Sequence, residues 1–224
     1  MKHYAFSARI ILIVTVLICA PSLVGQDTSD DASIQFLFPE FTAGTVRMKN
    51  GSVQHAEMNY NTLAERMIFR QNGRLMEMTE LDRIDTVILQ NCRFVPFEKV
   101  FYEVLFNGPI SLFVQNRTDL KSVGRPSAYG TTSQTVGPTS VSRLYLENNT
   151  FKMKVPEGYK IVPSPFYWIR KEGVMYKFQT ERQFLKIFPG KEKEIQKLID
   201  QHKLDMKDKE DLKILVNYCN ELNN

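Results

Sequence analysis

The chain has few of the residues that most often carry catalysis or bind metal ions. Its 224 residues include only three histidines and three cysteines. His55 and His202 lie far apart, and no His-x-x-x-His, Gly-x-Ser-x-Gly or phosphate-loop sequence is present. These motifs are the usual signs of zinc sites, serine hydrolases and nucleotide-binding loops. The sequence therefore indicates no metal, no cofactor and no catalytic residue, and it favours a non-enzyme.

The chain also has no long hydrophobic run after residue 25, so we expect no membrane helix there. At the amino terminus, Lys2 and Arg9 precede an apolar run over Ile10–Ala20 that is short for a bilayer span. A positive segment followed by a short apolar core predicts a cleaved signal peptide over 1–25, and therefore export to the periplasm or the cell exterior. A lipid anchor on Cys19 and an uncleaved anchor are the alternatives.

Charge and cysteine number set further limits on the mature chain. The formal net charge is +4, and part of it belongs to Lys2 and Arg9 of the leader. A chain this close to neutrality gives no sign of a nucleic-acid partner. Cys92 and Cys219 are the cysteines that remain after the leader. In an exported protein they could form one disulfide, whereas their apolar sequence surroundings also suit two free thiols.

The stretch over Gly44–Arg70 predicts consecutive antiparallel strands. Apolar and polar residues alternate over Thr45–Lys49, which is the period-two pattern of a half-buried strand. Asn50-Gly51 then suits a two-residue hairpin turn. The apolar set that follows begins at Ala56, on the parity opposite to the one such a turn would require. We therefore expect a β-bulge between Gln54 and Ala56.

Other segments also have the patterns of strands. Ile34–Phe41 is hydrophobic but interrupted by Pro39, which predicts a strand at a sheet margin. Val100–Phe106 alternates, with its even-numbered residues forming one apolar face, and predicts a hairpin with Ile110–Val114. The remaining predicted strands are Leu75–Met78, Ile84–Gln90 (as a central strand), Arg143–Glu147, Phe151–Val155, Tyr159–Val162, Phe166–Arg170 and Val174–Phe178.

The carboxyl-terminal segment over 181–224 has the patterns of amphipathic helices. Thr180 and Gln183 have the spacing of a capping box, and Asp208 is a suitable N-cap for the last helix. Each helix has one apolar stripe, which must pack against another element. The sequence thus predicts a mainly β fold over 26–180, in which an antiparallel meander forms a curled sheet or an incomplete barrel. Two to three C-terminal α-helices are expected to pack on it.

One long segment between the strands differs in composition. Ser122–Ser142 is rich in glycine, proline and small polar residues, so it cannot bury a core of its own. Long loops of this kind on a rigid sheet often border functional surfaces. Arg125 is the one charged residue of the segment, Tyr129 offers an aromatic face with a polar tip, and Tyr145 follows closely. These three residues are candidates for ligand or partner contact.

An aromatic run over Phe166–Phe178 provides further candidates. Exposed aromatic rings can stack on sugars or peptides while neighbouring polar groups fix the orientation. Tyr167 and Trp168 are the contact candidates of this run. The alternative is that strand alternation sends about half of these rings into the core, because successive side chains of a strand point to opposite faces.

Three motifs together suggest a relationship. They are the Asn59-Tyr60-Asn61 triplet after a strand-turn-strand pattern, AYGTTS at Ala128–Ser133, and KEIQKLIDQHKLDMKDKEDLKILVNYCN at Lys193–Asn220. With the exported leader, this pattern resembles uncharacterised exported proteins of Bacteroidota-type bacteria. The resemblance covers most of the mature chain and implies a Gram-negative envelope address. It implies no catalytic or binding residue.

These observations leave three hypotheses about function. The first is a non-catalytic envelope protein that binds an unknown ligand or protein. The second is a hydrolase that uses carboxylates at the mouth of the sheet, which a pocket lined by two converging acids would support. The third is an assembly or scaffold protein, which an uncovered apolar helix stripe would support.

The leader gives a first testable prediction. If residues 1–25 form a cleaved signal peptide, the exported protein will have lost about this much of its amino terminus. Intact-mass measurement on protein recovered from the periplasm or the medium checks this. A mass that still includes the first 20 residues would contradict the prediction, and a lipid-modified Cys19 would support the lipoprotein alternative.

Overall fold

The computed structural model describes residues 35–123, 125–126, 132–133 and 159–223. The strands are β1 (Thr42–Met48), β2 (Val53–Asn61), β3 (Arg66–Gln71), β4 (Arg74–Glu77), β5 (Ile84–Leu89), β6 (Cys92–Phe97), β7 (Val100–Phe106), β8 (Ser111–Gln115), β9 (Thr118–Ser122), β10 (Arg125–Pro126), β11 (Thr132–Ser133), β12 (Tyr159–Pro163), β13 (Phe166–Lys171) and β14 (Val174–Phe178). The helices are α1 (Glu181–Leu185), α2 (Glu192–His202) and α3 (Lys209–Leu222), and a short 3₁₀ helix covers Leu81–Arg83. The predicted strands Arg143–Glu147 and Phe151–Val155 lie outside the described residues.

Ten of the strands form one antiparallel sheet in the order β14-β13-β8-β7-β6-β5-β1-β2-β3-β4. The sheet is open, because its end strands β14 and β4 are not paired with each other. Strands β9 and β12 pair separately, as a ribbon that continues β8 and β13 past a bend. The predicted class, a mainly β curled sheet with helices packed on it, is confirmed.

One face of the sheet is buried across seven of its ten strands. Residues in register form a row across seven strands on this face, which we call the inner face: Val46, Val87, Phe94, Glu103, Val114, Tyr167 and Phe178. Each of them is at most 6% exposed. Glu103 is the only charged residue of the row. It separates an apolar cluster around β1, β2 and β5 from a second cluster beneath the helices.

The helices cover the half of the inner face formed by β8, β13 and β14. The expected capping box at Thr180 and Gln183 is present, and Asp208 accepts hydrogen bonds from the backbone of Glu210 and Asp211. The apolar stripe of α3 is buried against this half of the sheet. Lys209, at the start of α3, donates to the Glu103 carboxylate at 2.7 Å. The helices and the sheet therefore share one core.

The other half of the inner face is buried because the sheet curls onto itself. The Tyr60 ring on β2 stacks on Phe94 of β6, with 5.7 Å between ring centroids, although β1 and β5 lie between these strands. The turn after β2 also contacts the bend after β8, where the Thr118 backbone N–H donates to the Thr62 carbonyl at 3.1 Å. The Tyr60 ring thus stabilises the curl from its interior, and the Thr62 carbonyl stabilises it at one end.

The first hairpin differs from the prediction in its turn. Val53 pairs with Arg47, and the register runs without interruption to Thr42 and Met58, so β2 has no bulge between Gln54 and Ala56. The expected bulge is wrong because the turn has one residue more than the assumed two, with Gly51 in the left-handed region at φ 86°. That residue changes the parity, and Ala56 reaches the inner face without a bulge.

Bulges occur at two other places instead. In β5, Thr86 pairs with Arg47 of β1 and Ile84 pairs with Met48, so Asp85 between them is an extra residue without a partner in β1. Leu105 is an extra residue in β7, and the shift pairs Phe106 with Leu112 on the inner face. The expectation that Phe106 shares a face with Tyr102 and Val104 is therefore wrong, because a bulge reverses the alternation after it.

Two further predictions about strands need correction. The described part of Ile34–Phe41 is not a strand: Phe36 forms an isolated bridge with Asn61, and bends follow. Conversely, β6, which contains Pro96, was not predicted from the sequence. Pairing with β5 ends at Phe94, so Pro96 is bonded only on the β7 side and its missing N–H leaves no gap in the β5 ladder.

Cys92 and Cys219 are both free thiols, which corresponds to the second of the two alternatives. Burial raises the pKa of Cys219 to about 12 and is also the main cause that raises the pKa of Cys92 to about 11. Within the described ranges, no helix is both long enough and apolar enough to cross a bilayer.

The packing of α3 gives a prediction about stability. Leu215 lies on the side of α3 that packs on the sheet and is fully buried, whereas its neighbour Ile214 on the same helix is 52% exposed. Leu215→Asp places an unpaired charge in the shared core and should lower the free energy of unfolding by about 3–5 kcal/mol. Ile214→Asp, the matched control, should lower it by less than about 1 kcal/mol. Chemical denaturation of both variants checks the difference, and equal effects would contradict the packing.

Candidate binding cleft on the outer face

The outer face of the sheet, opposite the helices, has an open cleft. Residues in register across β7, β8, β13 and β14 form a row on this face: Val104, Phe113, Trp168 and Lys177. The cleft beside this row has a volume of about 710 Å³. We call it the aromatic cleft, and its lining residues are Glu98, Lys99, Val100, Tyr102, Gln115, Phe166, Trp168 and Lys177.

Aromatic rings form the floor of the cleft. The Trp168 indole meets the Tyr102 ring edge to face, with 5.6 Å between centroids and an angle of 89°. Phe97, which is 41% exposed, lies edge-on against Tyr102 at 5.8 Å. Phe166 is on the same side of β13 as Trp168 because the two residues are two positions apart along the strand. The rings therefore support one another and present a fixed apolar surface.

A chain of polar contacts fixes the floor from one side. The Trp168 indole N–H donates to the Gln115 side-chain oxygen at 3.1 Å, and the Gln115 amide nitrogen donates to the Glu65 carboxylate. Glu65 also lies 3.6 Å from the Arg117 guanidinium, which donates to Asp119 at 2.5 Å. These side chains come from the β2–β3 turn, β8, the bend between β8 and β9, β9 itself and β13, so the closed curl positions Trp168.

Two cations lie close to the Phe166 ring. The Lys177 Nζ is 3.1 Å from the ring centroid, and the Arg117 guanidinium carbon is 4.5 Å from it. Arg117 is already paired with carboxylates, but Lys177 forms no salt bridge with any carboxylate in the described part of the chain. Desolvation, followed by the neighbouring Arg117 charge, lowers the pKa of Lys177 below the ordinary value for lysine.

Several polar groups around the opening of the cleft have no side-chain partner among the described residues. The ammonium group of Lys99 and the carboxylate of Glu98 form no salt bridge within the described ranges, and both residues lie in the tight turn between β6 and β7. The Tyr102 hydroxyl has no hydrogen-bond partner among the described residues either. Its burial, followed by the charges of Glu98 and Glu65, raises its pKa to about 12, so it stays a neutral donor at physiological pH.

The structure separates the candidates named from the sequence. Trp168 lies in the aromatic cleft. Tyr167 points to the inner face, where it is 5% exposed and its hydroxyl donates to the Lys207 carbonyl at 2.9 Å. It therefore contributes to the core and to holding α3, as strand alternation allows. Only the strand pairing of Arg125 with Ser133 is described, and its side chain is not. Tyr129 and Tyr145 lie outside the described residues.

Most residues of the cleft were not among the candidates predicted from the sequence. Tyr102, Gln115 and Lys177 lie on β7, β8 and β14, and Glu98 and Lys99 lie in a turn. None of them stands in a motif, because the pairing of distant strands brings them together. One local signal was available: the parity of Phe166 and Trp168 against the apolar Tyr167 and Ile169 indicates that the two sets point to opposite faces.

Comparison of the chain with protein-family models, with curated proteins and with solved structures gives no match. The described residues also contain no group of three or more histidine, cysteine, aspartate or glutamate side chains that could hold a metal ion.

Proposed function

We propose that the protein is an exported, non-catalytic binding module of the cell envelope, and that its aromatic cleft takes an acidic saccharide. The observation that carries the proposal is the position of Lys177, whose ammonium group lies over the Phe166 ring beside Trp168 and has no carboxylate partner among the described residues.

The aromatic floor favours a ligand with ring-shaped apolar faces. Trp168 is half-buried, lines the cleft and packs edge to face against the nearly buried Tyr102 ring, so its indole is already held in place before binding. Sugar rings present flat C–H faces that stack on such surfaces, and the polar tips of tyrosine and tryptophan give direction to the contact. A rigid platform also lowers the entropy that is lost on binding.

The charges around the floor favour an acidic ligand with hydroxyl groups. Lys99 and Lys177 provide two ammonium groups, and Glu98 provides the one carboxylate of the lining. An acid group on the ligand would be a charge-assisted partner for an ammonium group. Hydroxyl groups could donate to Glu98 and accept from the Tyr102 hydroxyl. This mixture of donors and acceptors around an aromatic floor suits a sugar acid better than a purely apolar molecule.

The alternative functions have less support. A carboxylate hydrolase needs two acids that converge on one bond, whereas the described lining of the cleft has Glu98 alone. A scaffold that acts through its helices needs an uncovered apolar stripe. The stripe of α3 is instead buried on the sheet, and Ile214 is the large apolar residue of this helix that remains exposed.

The fluorescence of Trp168, the only tryptophan of the chain, provides the test. Oligogalacturonate should change the emission in a saturable way, because stacking alters the surroundings of the indole. A maltooligosaccharide of equal length, which is neutral, should bind more weakly. Lys177→Gln should weaken oligogalacturonate binding about tenfold, as expected for the loss of one charge-assisted contact.

Lys186→Gln is the matched control, since Lys186 is exposed at the end of α1 and away from the cleft. It removes the same charge and should leave binding unchanged. The proposal would be overturned by an absence of saturable change, or by equal weakening in both lysine variants. Binding of hexaglutamate without binding of oligogalacturonate would assign the cleft to acidic peptides instead.

The lowered pKa of Lys177 gives a prediction about pH. The protonated form binds the acid group, and this form is lost as the pH rises through the pKa of the lysine. Because burial and Arg117 lower this pKa, affinity should be full at neutral pH and should decrease in alkaline solution earlier than for an ordinary lysine. Titrations of wild type and Lys177→Gln across alkaline pH check this. A wild-type affinity that decreases no more than that of the variant would contradict it.

A further inference from the structure

A second pocket lies on the inner face, at the end of the curl that is far from Tyr60. The chain leaves β4 beside β3, where the Met78 N–H donates to the Met67 carbonyl, and reaches β5 beside the end of β1, where the Lys49 N–H donates to the Arg83 carbonyl. This crossover, over Met78–Ile84, and the first hairpin enclose a pocket of about 470 Å³. The volume lies in the range of pockets that bind small molecules.

The pocket exists because the interior of the curl is filled at one end only. Tyr60, Met67, Phe94 and Phe101 are buried and occupy the closed end. At the other end the inward positions of β2 are Gln54, opposite Val46, and the small Ala56, and both of these β2 residues line the pocket. The sheet therefore has an inner surface at this end that its own side chains do not fill.

Apolar side chains, half of them methionines, form the walls of this pocket. The ones that define it are Val46, Met48, Phe69, Met76, Met78 and Ile84. Met76 is 44% exposed, which is unusual for a side chain on the inner face of the sheet. Methionine is unbranched and polarizable, and it adapts its shape to the surface of a ligand.

The rim of the pocket is charged but compensated. Arg70 is 3.0 Å from the Glu57 carboxylate, and Arg83 is 2.7 Å from Glu80. Glu77 is also paired, at 2.8 Å from Arg66. Because each of these charges has a partner within the chain, an ionised ligand would have to break a pair, whereas a neutral apolar ligand would not. In this respect the rim differs from the aromatic cleft, where the ammonium groups of Lys99 and Lys177 have no carboxylate partner among the described residues.

From this geometry we infer that the pocket is a second binding site, independent of the aromatic cleft, which takes a small neutral molecule with an apolar body such as an alkyl or aryl chain. The walls supply the apolar contact and the compensated rim selects against charge. Burial of Met76 by the ligand would also remove an exposed apolar surface from water.

The uncharged dye N-phenyl-1-naphthylamine is a suitable probe, because its emission rises when it leaves water. It should bind the full chain saturably at one site, 1-decanol should displace it, and decanoate should displace it at least about tenfold less well. Met76→Glu places a carboxylate in the wall and should weaken dye binding about tenfold or more. Because Met76 is already partly exposed, the variant should keep its thermal stability.

Val174→Glu is the matched control, since Val174 is 50% exposed on the opposite end strand β14 and lies outside the pocket. It should bind the dye as the wild type does. The inference would be overturned by non-saturable binding, by equal loss in both variants, or by a dimer in sedimentation velocity that Met76→Glu dissociates, which would make the pocket an interface between copies. The Trp168 response to oligogalacturonate should persist in Met76→Glu, so the two sites can fail separately.

Discussion

The buried carboxylate of Glu103 is the constraint on which the rest of the structure depends. It stands on the inner face, where its neighbours in register are Phe94 and Val114, and it accepts hydrogen bonds from Asn116 at 2.8 Å and Lys209 at 2.7 Å. A buried carboxylate needs such partners, because removing one of them leaves an uncompensated charge. The ion pair between Glu103 and Lys209 therefore fixes the start of α3 against β7, at the boundary between the helix-covered half of the sheet and the curled half.

The two ways of burying one face explain where the candidate sites lie. Helices need an apolar stripe to pack against, and they cover the inner face at β8, β13 and β14, so the opposite side of the same strands stays open and carries the aromatic cleft. The curled half covers itself, but it is filled only around Tyr60 and leaves the methionine-lined pocket at its other end. The cleft has ammonium groups without a carboxylate partner in the described part of the chain, and the pocket is apolar with a compensated rim, so they suit different ligands.

The sequence predicted those parts of the fold that depend on neighbouring residues. Alternation located most strands, the Thr180 and Asp208 caps located helix starts, and the apolar stripe of α3 predicted its packing on the sheet. The errors occurred where one residue changes the parity. The longer turn at Gly51 replaced the expected bulge, and the bulge at Leu105 turned Phe106 to the other face. A single inserted residue leaves little trace in a pattern of period two, because both parities carry apolar residues here.

By itself, the sequence determined the class of the fold and the amphipathic helices, because turns, caps and alternation are local properties of the chain. The tertiary structure alone decided that Trp168 faces the cleft while Tyr167 is buried beneath the helices. It also decided that Lys177, Tyr102 and Gln115 meet at one surface. These residues come from strands that are distant in sequence, and the order in which the strands pair brings them together. The closed curl and the buried Glu103 carboxylate stabilise that order.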